Sequence, residues 1–253
     1  MKFRTKSRLI YLTGARHRGG HGIHSPFLYR LITTVIEDKR KLTDYLILKE
    51  LKNKALKLLS ISTDPSIQEI FQKFNIPFAK PRKLYRKIEM PLKYGKVVFR
   101  LIRELKPNAV INYGHTLGVN LSAAAMAQNL IPVYQVLSLP EYRLFCEELP
   151  LCSEISNIHW INEGLELSVE AEFMIINYPD NSELTGNIIH KSLNKHGDND
   201  LLIVRGIHES VEMEAIWHEL ISSNDVRVSL DLFEIGIALF RKGLQKENFI
   251  HRF

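Results

Sequence analysis

The chain has 253 residues, of which 45% are hydrophobic, and its formal net charge is +6. This length suits one large globular domain, or a core domain with an appended segment, that buries its core without disulfides. Cys146 and Cys152 lack CxxC spacing, which predicts reduced thiols in a cytoplasmic protein. The basic start lacks the apolar run of a secretory signal, and other apolar runs are strand-sized, so we expect no membrane span.

The charge is unevenly distributed along the chain. Residues 1–108 contain 25 Lys and Arg against 8 Asp and Glu, a net charge of +17, whereas residues 109–253 contain 9 against 20, a net charge of −11. Such asymmetry is compatible with an arm for nucleic acid or an anionic membrane, or with two halves that dock on each other. No recognised nucleic-acid motif accompanies the basic residues, so we favour docking and solvated faces and do not expect a nucleic-acid partner.

The first 108 residues predict a basic helical region that forms a lid or subdomain. Residues 1–20 are basic, with glycines near their end, and are expected to be irregular. A helix is predicted to begin in "HSPFLYRLITTVIED", where Ser25 can cap the first turn and Pro26 suits the first helical position. Residues 41–105 read as amphipathic helices, including "TDPSIQEIFQKF", which Thr63 or Asp64 can cap.

From residue 109 the pattern changes to strands that alternate with helices. The predicted strands are "AVINY", "PVYQVL", "IHWI", "EFMIIN" and "DLLIVR", and the segment "VRVSLDLFEIGIALFRKG" closes as two further strands. No helix separates this final pair, so its strands must be antiparallel. Residues 109–253 therefore predict an α/β domain with a mostly parallel sheet and helices on both faces.

The stretch "VINYGHTLGVNLSAAAMAQ" predicts a strand, a glycine turn and a helix. Glycine allows a ligand to approach the backbone closely, and α/β folds of this kind bind ligands at the carboxyl ends of their strands. By itself, this glycine pattern is a weak indication of a nucleotide-like cofactor.

The chain as a whole resembles the class I methyltransferases, with a Rossmann-like fold and a seven-stranded sheet. Within them it resembles a bacterial group of S-adenosylmethionine-dependent O-methyltransferases, through "HGIHSPF" near the N-terminus and "DLFEIGIALFRKGLQKENFIHRF" at the C-terminus. The resemblance implies methyl transfer from S-adenosylmethionine to an oxygen of a small-molecule substrate, largely by positioning. The methyl acceptor stays open, and self-association into a homo-oligomer is compatible with the sequence.

The resemblance also implies a set of cofactor-contacting residues. It places the amino-acid end of the cofactor at the glycine turn, the ribose at the end of the second strand, and the reacting centre at the end of the fourth. The corresponding residues are Asn112, Gly114, His115 and Gly118, then Leu137 and Ser138, then Asn177 and Tyr178.

Four strand ends depart from the family pattern because each lacks the expected carboxylate. The replacements are Asn112, Leu137 or Ser138, Asn177, and Arg205 with Gly206. Loss of a charged acceptor for a ribose hydroxyl costs about 1.5–3 kcal/mol, or roughly ten- to a hundredfold in affinity. We therefore expect a pseudoenzyme candidate that binds S-adenosylmethionine weakly or not at all, the alternative being a methyltransferase with altered contacts. The missing carboxylates also give no reason to expect a metal.

Two histidines are the candidates for a catalytic base. His24, near His21, could lie on a flap over the site, or it could belong to a helix cap and a polar surface. His208 lies in the loop that borders the substrate pocket in the family, or it could serve loop packing. Asp231 is expected to turn the final hairpin rather than to catalyse.

Trp160 and Trp217 could line a substrate pocket, but aromatic residues in a strand and on an amphipathic helix are more often core. Ser210 is expected to cap the helix that follows it.

Overall fold

The computed structural model describes residues 3–15, 22–137, 141–149, 155–162 and 171–253. The chain divides into two compact units. The central unit is Lys39–Glu170, and the terminal unit combines Met1–Asp38 with Ala171–Phe253. The predicted boundary between residues 108 and 109 marks where strands begin to alternate with helices. The compact units instead divide the chain after residues 38 and 170.

The central unit consists of helices followed by alternating strands and helices. Its elements are α3 (Asp44–Ile61), α4 (Pro65–Lys73), α5 (Pro81–Ile88), α6 (Leu92–Leu105), β1 (Val110–Gly114), α7 (Val119–Ala127), β2 (Val133–Leu137), α8 (Glu141–Glu147) and β3 (Ile158–Asn162). Strand β2 pairs in parallel with both β1 and β3. The predicted helical stretch 41–105 and the three predicted strands are therefore confirmed.

Local sequence signals explain where these helices begin and end. The Asp64 side chain accepts a hydrogen bond from the Ser66 amide at 2.8 Å, and Pro65 occupies the first turn of α4. Helix α6 ends at Lys106, which adopts a left-handed conformation (φ 50°) directly before Pro107. Of the two predicted caps, Thr63 and Asp64, the structure therefore has Asp64.

The terminal unit contains the other elements of the described chain. They are α1 (Phe3–Gly14), α2 (Pro26–Arg30) with a π-helical continuation (Leu31–Ile36), β4 (Phe173–Asn177), α9 (Ser182–Asn194), β5 (Leu201–Arg205), α10 (Val211–Ser222), β6 (Val228–Asp231), β7 (Ile235–Leu239) and β8 (Glu247–Ile250). Ser25 caps α2 and Ser210 caps α10, both as predicted.

The expectation that residues 1–20 are irregular is wrong for residues 3–14, which form α1. Contacts with distant residues stabilise this helix. The hydroxyl of the buried Tyr11 donates a hydrogen bond to the His251 carbonyl and accepts one from the Phe253 amide. Arg4 forms ion pairs with Glu209 and Glu234. Burial raises the pKa of Tyr11 to about 12, so its phenol stays protonated.

Strands of the terminal unit combine parallel and antiparallel pairing. β4 and β5 are parallel, β7 is antiparallel to both β5 and β6, and β8 is parallel to β6. The predicted final antiparallel pair is confirmed, and Asp231 turns it by accepting a hydrogen bond from the Phe233 amide at 2.7 Å. The described residues hold eight strands rather than seven because "ENFI" adds β8.

Both tryptophans pack against apolar residues, Trp217 in the core of its unit and Trp160 at the edge of an apolar cluster. Trp217 on α10 is buried, and its indole lies over Gly236 on β7. Trp160 is partly buried against the apolar cluster of the central unit. Cys146 is buried, whereas Cys152 lies outside the described residues. No helix among the described residues is long and apolar enough to cross a membrane.

Replacing Gly236 by alanine tests the packing of Trp217. The added Cβ would lie 2.5–2.8 Å from three indole carbons of Trp217, which is closer than non-bonded carbon atoms approach one another. We expect Gly236→Ala to lower the free energy of unfolding by about 1–3 kcal/mol, measured by urea denaturation.

Gly186→Ala is the matched control in the same unit. Its Cβ would lie 3.6 Å from an Ile216 methyl carbon, an ordinary contact, within helix α9. This variant should be unchanged or stabilised by up to about 1 kcal/mol because alanine favours helix. Equal unfolding free energies for the two variants would contradict the packing described here.

Candidate functional site

The turn between β1 and α7 has the predicted strand–turn–helix geometry. Gly114 ends β1 with φ 104°, and Gly118 precedes α7 with φ 85°. Residues with a side chain rarely adopt these left-handed backbone conformations, so both positions require glycine. The turn leaves the first amides of α7 without helical acceptors.

Glu89 supplies the acceptors for these amides. One carboxylate oxygen accepts hydrogen bonds from the amides of Leu117 at 2.6 Å and Val119 at 3.2 Å. The other accepts from the Asn120 amide at 3.2 Å and from the Asn120 side chain. Glu89 is only 1% exposed. A buried carboxylate is tolerated here because backbone donors and the positive end of the helix dipole compensate its charge.

Sequence reasoning missed Glu89. It is the only acidic residue between Glu69 and Glu104, in a segment rich in lysine and arginine. That isolation was the available signal, but it does not indicate which distant donors the carboxylate binds.

His115 is packed between aromatic side chains. It is 6% exposed, its Nδ1 shares a hydrogen bond with the Tyr142 hydroxyl at 3.1 Å, and its ring meets that of Phe74 edge-on at 5.0 Å. The imidazole predicted to contact a cofactor therefore contacts α8 and the segment after α4.

Asn112 is bonded to the neighbouring strand. Its side-chain nitrogen donates to the Gln135 Oε1 at 2.5 Å, and the Gln135 Nε2 donates to the carbonyl oxygens of Gly114 and Val136 at 2.8 and 2.9 Å. Both side chains are buried. The first predicted acidic position thus forms an amide pair across β1 and β2.

Leu137 ends β2 inside the apolar core. It is 4% exposed and belongs to the same buried cluster as Tyr142, Phe145 and Leu149. Its side chain has no hydrogen-bonding atom. Ser138, the alternative ribose position, lies outside the described residues.

In the terminal unit, a polar pair lies at the ends of β4 and β5. The Arg205 guanidinium donates a hydrogen bond to the Asn177 Oδ1 at 2.8 Å, and both side chains are buried. Tyr178 is buried, and its carbonyl accepts a hydrogen bond from the Thr185 hydroxyl at 3.2 Å. The Arg205 guanidinium is thus buried and bonded to Asn177 at the ends of these two strands.

His208 bridges two carboxylates. Its Nδ1 lies 2.9 Å from Glu214 and its Nε2 lies 2.7 Å from Asp231. Burial by itself would lower the pKa of His208, but the hydrogen bonds and negative charges of Asp231 and Glu214 outweigh it and raise the pKa. A protonated imidazole has no lone pair for a substrate proton. His24 is exposed, and His21 lies outside the described residues.

The described residues contain no group of three or more His, Cys, Asp or Glu side chains that could hold a metal ion. A shallow pocket lies in the central unit between α4 and α8, lined by Asp64, Ser66, Ile67, Leu144, Phe145, Glu147 and Glu148. Its lining includes none of the predicted site residues.

The charged state of His208 predicts a pH dependence of stability. Because its pKa is higher when folded than the ordinary 6.5, protonation favours the folded state. This stabilisation is complete below about pH 6.5 and is lost as the pH rises through the folded pKa. The stability advantage of the wild type over His208→Gln, measured by urea denaturation, should therefore shrink between pH 6.5 and 9.

His190→Gln is the control for this measurement. His190 is exposed and lies 3.7 Å from Glu219, so its loss should alter stability little at any pH. A difference for His208→Gln that stays constant up to pH 9 would contradict a charged, bridging imidazole.

Comparison with known proteins places the fold. No protein-family model and no curated protein sequence matches the chain. Solved structures do match. The S-adenosylhomocysteine-bound methyltransferase PaMTH1 of Podospora anserina has a TM-score of 0.53 at 10% identity, over 81% of this chain and 100% of that one. The O-methyltransferase TomG of Streptomyces achromogenes, in complex with S-adenosylmethionine, has a TM-score of 0.50 at 11% identity, over 77% and 98%.

A third match is the S-adenosylhomocysteine-bound O-methyltransferase of Bacillus cereus, with a TM-score of 0.50 at 11% identity over 76% of this chain and 98% of that one. Together with the strands and helices described above, these matches confirm the predicted Rossmann-like class I methyltransferase fold.

Proposed function

We propose that this chain is a methyltransferase-like protein, related to S-adenosylmethionine-dependent O-methyltransferases, whose cofactor site has become degenerate and which acts as a binding module. The fold supports the first part of the proposal, because structural neighbours bind S-adenosylmethionine or S-adenosylhomocysteine. The residues at the strand ends of the central unit support the second part.

The strongest single observation is Leu137. The resemblance implies a hydrogen-bond acceptor for the cofactor ribose at Leu137 or Ser138. The Leu137 side chain is alkyl and buried in the core, and Ser138 lies outside the described residues. Loss of that acceptor costs about 1.5–3 kcal/mol. Opening a space for the ribose would also expose core side chains of α8, which adds the cost of apolar surface.

The glycine turn does not compensate for this loss. The first amides of α7 already donate to Glu89, so an incoming amino-acid carboxylate would have to displace it. The residues of the central unit therefore do not fit S-adenosylmethionine through the contacts that the resemblance implies.

Among the described residues of the terminal unit, the predicted site residues Asn177 and His208 are not arranged as a base for methyl transfer. Asn177 is bonded to Arg205, and His208 is held between two carboxylates that favour its protonated form. Methyl transfer to a hydroxyl oxygen releases a proton, and neither side chain is arranged to accept it.

A second candidate is an active methyltransferase that acts on an oxygen of a small-molecule substrate. It is favoured by the turn itself, since Gly114 and Gly118 keep the left-handed conformations that close approach to a cofactor requires. In that case other groups at the strand ends, such as Asn112 in the central unit, would replace the carboxylates. Cytoplasmic location and homo-oligomer formation remain predictions under both candidates.

Titration with S-adenosylmethionine and S-adenosylhomocysteine separates the two candidates. We expect no calorimetric heat and no shift in melting temperature at 1 mM ligand. If the ligand bound with a dissociation constant of about 10 µM, the same concentration would add roughly 2.7 kcal/mol and raise the melting temperature by about 5–10 °C.

The Podospora methyltransferase serves as a positive control in the same buffer, because its structure contains S-adenosylhomocysteine. Saturable binding to the present chain with a dissociation constant below about 100 µM would refute the degenerate site and favour the active enzyme.

A further inference from the structure

The connection between α5 and α6 places a carboxylate on the glycine turn of the same unit. Glu89 directly follows the last residue of α5, and its own amide donates to the Tyr85 carbonyl at 2.8 Å. Pro91 and helix α6 follow two residues later. The side chain thus extends from one loop to the start of α7, across 28 to 31 residues of sequence.

The hydrogen bonds of Glu89 saturate both of its oxygens. Oε1 accepts from the Leu117 and Val119 amides, and the Thr116 hydroxyl lies 3.4 Å from it. Oε2 accepts from the amide and from the side chain of Asn120. Each amide has one N–H to donate, so a second anion could bind these donors only by displacing Glu89.

Asn120 and Gly95 complete the arrangement. The Asn120 side-chain nitrogen also lies 3.3 Å from the Met90 carbonyl, which fixes the amide against the loop that carries Glu89. A Cβ on Gly95 would lie 2.3 Å from the Asn120 oxygen. The absence of a side chain at Gly95 therefore leaves space for the Asn120 side chain, which donates a hydrogen bond to the Glu89 carboxylate.

This cap differs from an ordinary helix cap. In ordinary caps the acceptor belongs to the N-cap residue itself or to a residue three positions later. Here the N-cap is Gly118, which has no side chain, and the acceptor comes from another loop. A ligand carboxylate would bind in the same way, as an acceptor from outside the helix that takes hydrogen bonds at the glycine turn.

We propose that Glu89 is an internal ligand: its carboxylate occupies the anion position of the glycine turn and excludes the carboxylate of any amino-acid-like ligand. The proposal rests on the proposed function, since it supplies one physical reason why S-adenosylmethionine does not bind. Removal of the Glu89 side chain should leave a vacant site for a small monocarboxylate.

Chemical rescue of Glu89→Ala tests this directly. The variant should melt about 5–15 °C below the wild type because several buried donors lose their acceptor. Sodium acetate or formate at 10–200 mM should raise its melting temperature in a saturable manner, and more than sodium chloride does at the same ionic strength. Glu50→Ala, at an exposed position on α3, should show neither the loss nor the carboxylate-specific gain.

Glu89→Gln keeps the experiment decisive if the alanine variant folds poorly. Its side chain still fills the site, so it should lose less stability and show no specific response to acetate. For an alanine variant that does not fold in chloride, recovery of soluble folded protein in acetate supports the proposal. Equal recovery in both salts overturns it, as would an alanine variant as stable as the wild type.

The outcome is separable from that of the proposed function. If the wild type binds S-adenosylmethionine while acetate still rescues Glu89→Ala specifically, the degenerate-site proposal fails, whereas occupation of the turn by Glu89 stands and the cofactor carboxylate must bind elsewhere. If the wild type does not bind the cofactor and acetate acts like chloride, the internal ligand fails alone.

Discussion

The contact between the Glu89 carboxylate and the first amides of α7 is the constraint on which the central unit depends. Burying a carboxylate is costly unless its oxygens are hydrogen-bonded, and here three backbone amides on either side of Gly118 and the Asn120 side chain meet that requirement. The same bonds fix the loop between α5 and α6 against the glycine turn and the start of α7. The amides of a turn whose geometry suits a ligand are thereby bonded to a side chain of the protein itself.

The end of β2 follows the same logic with apolar contacts. Leu137 belongs to an apolar cluster with Tyr142 and with residues of helices α3 to α5, and His115 contacts Tyr142 and Phe74. Interactions that would serve ligand affinity in a binding site then serve folding instead, because the covering groups are already attached. The backbone requires Gly114 and Gly118 whether or not a ligand binds, because both adopt left-handed conformations.

The parts of the fold that sequence could predict are those set by neighbouring residues. Asp64, Ser25 and Ser210 cap helices as their local patterns indicate, and the alternation of strands and helices after residue 109 gives the correct α/β class. Long-range contacts set the rest. Helix α1 depends on Tyr11 meeting residues about 240 positions away, and Glu89 reaches its donors across about 30. No local pattern encodes such partners, so neither α1 nor the occupied turn could be predicted.

The distribution of charge shows what the linear sequence conceals. Along the chain, a basic first part precedes an acidic second part, but residues 1–38 fold with residues 171–253, and this terminal unit contains 15 Lys and Arg against 15 Asp and Glu. Arg4 illustrates the balance by pairing with Glu209 and Glu234. The net charge of +6 therefore belongs to the central unit, which contains 19 basic residues against 13 acidic ones. The Glu89 carboxylate belongs to this basic unit and holds the first amides of α7 through hydrogen bonds.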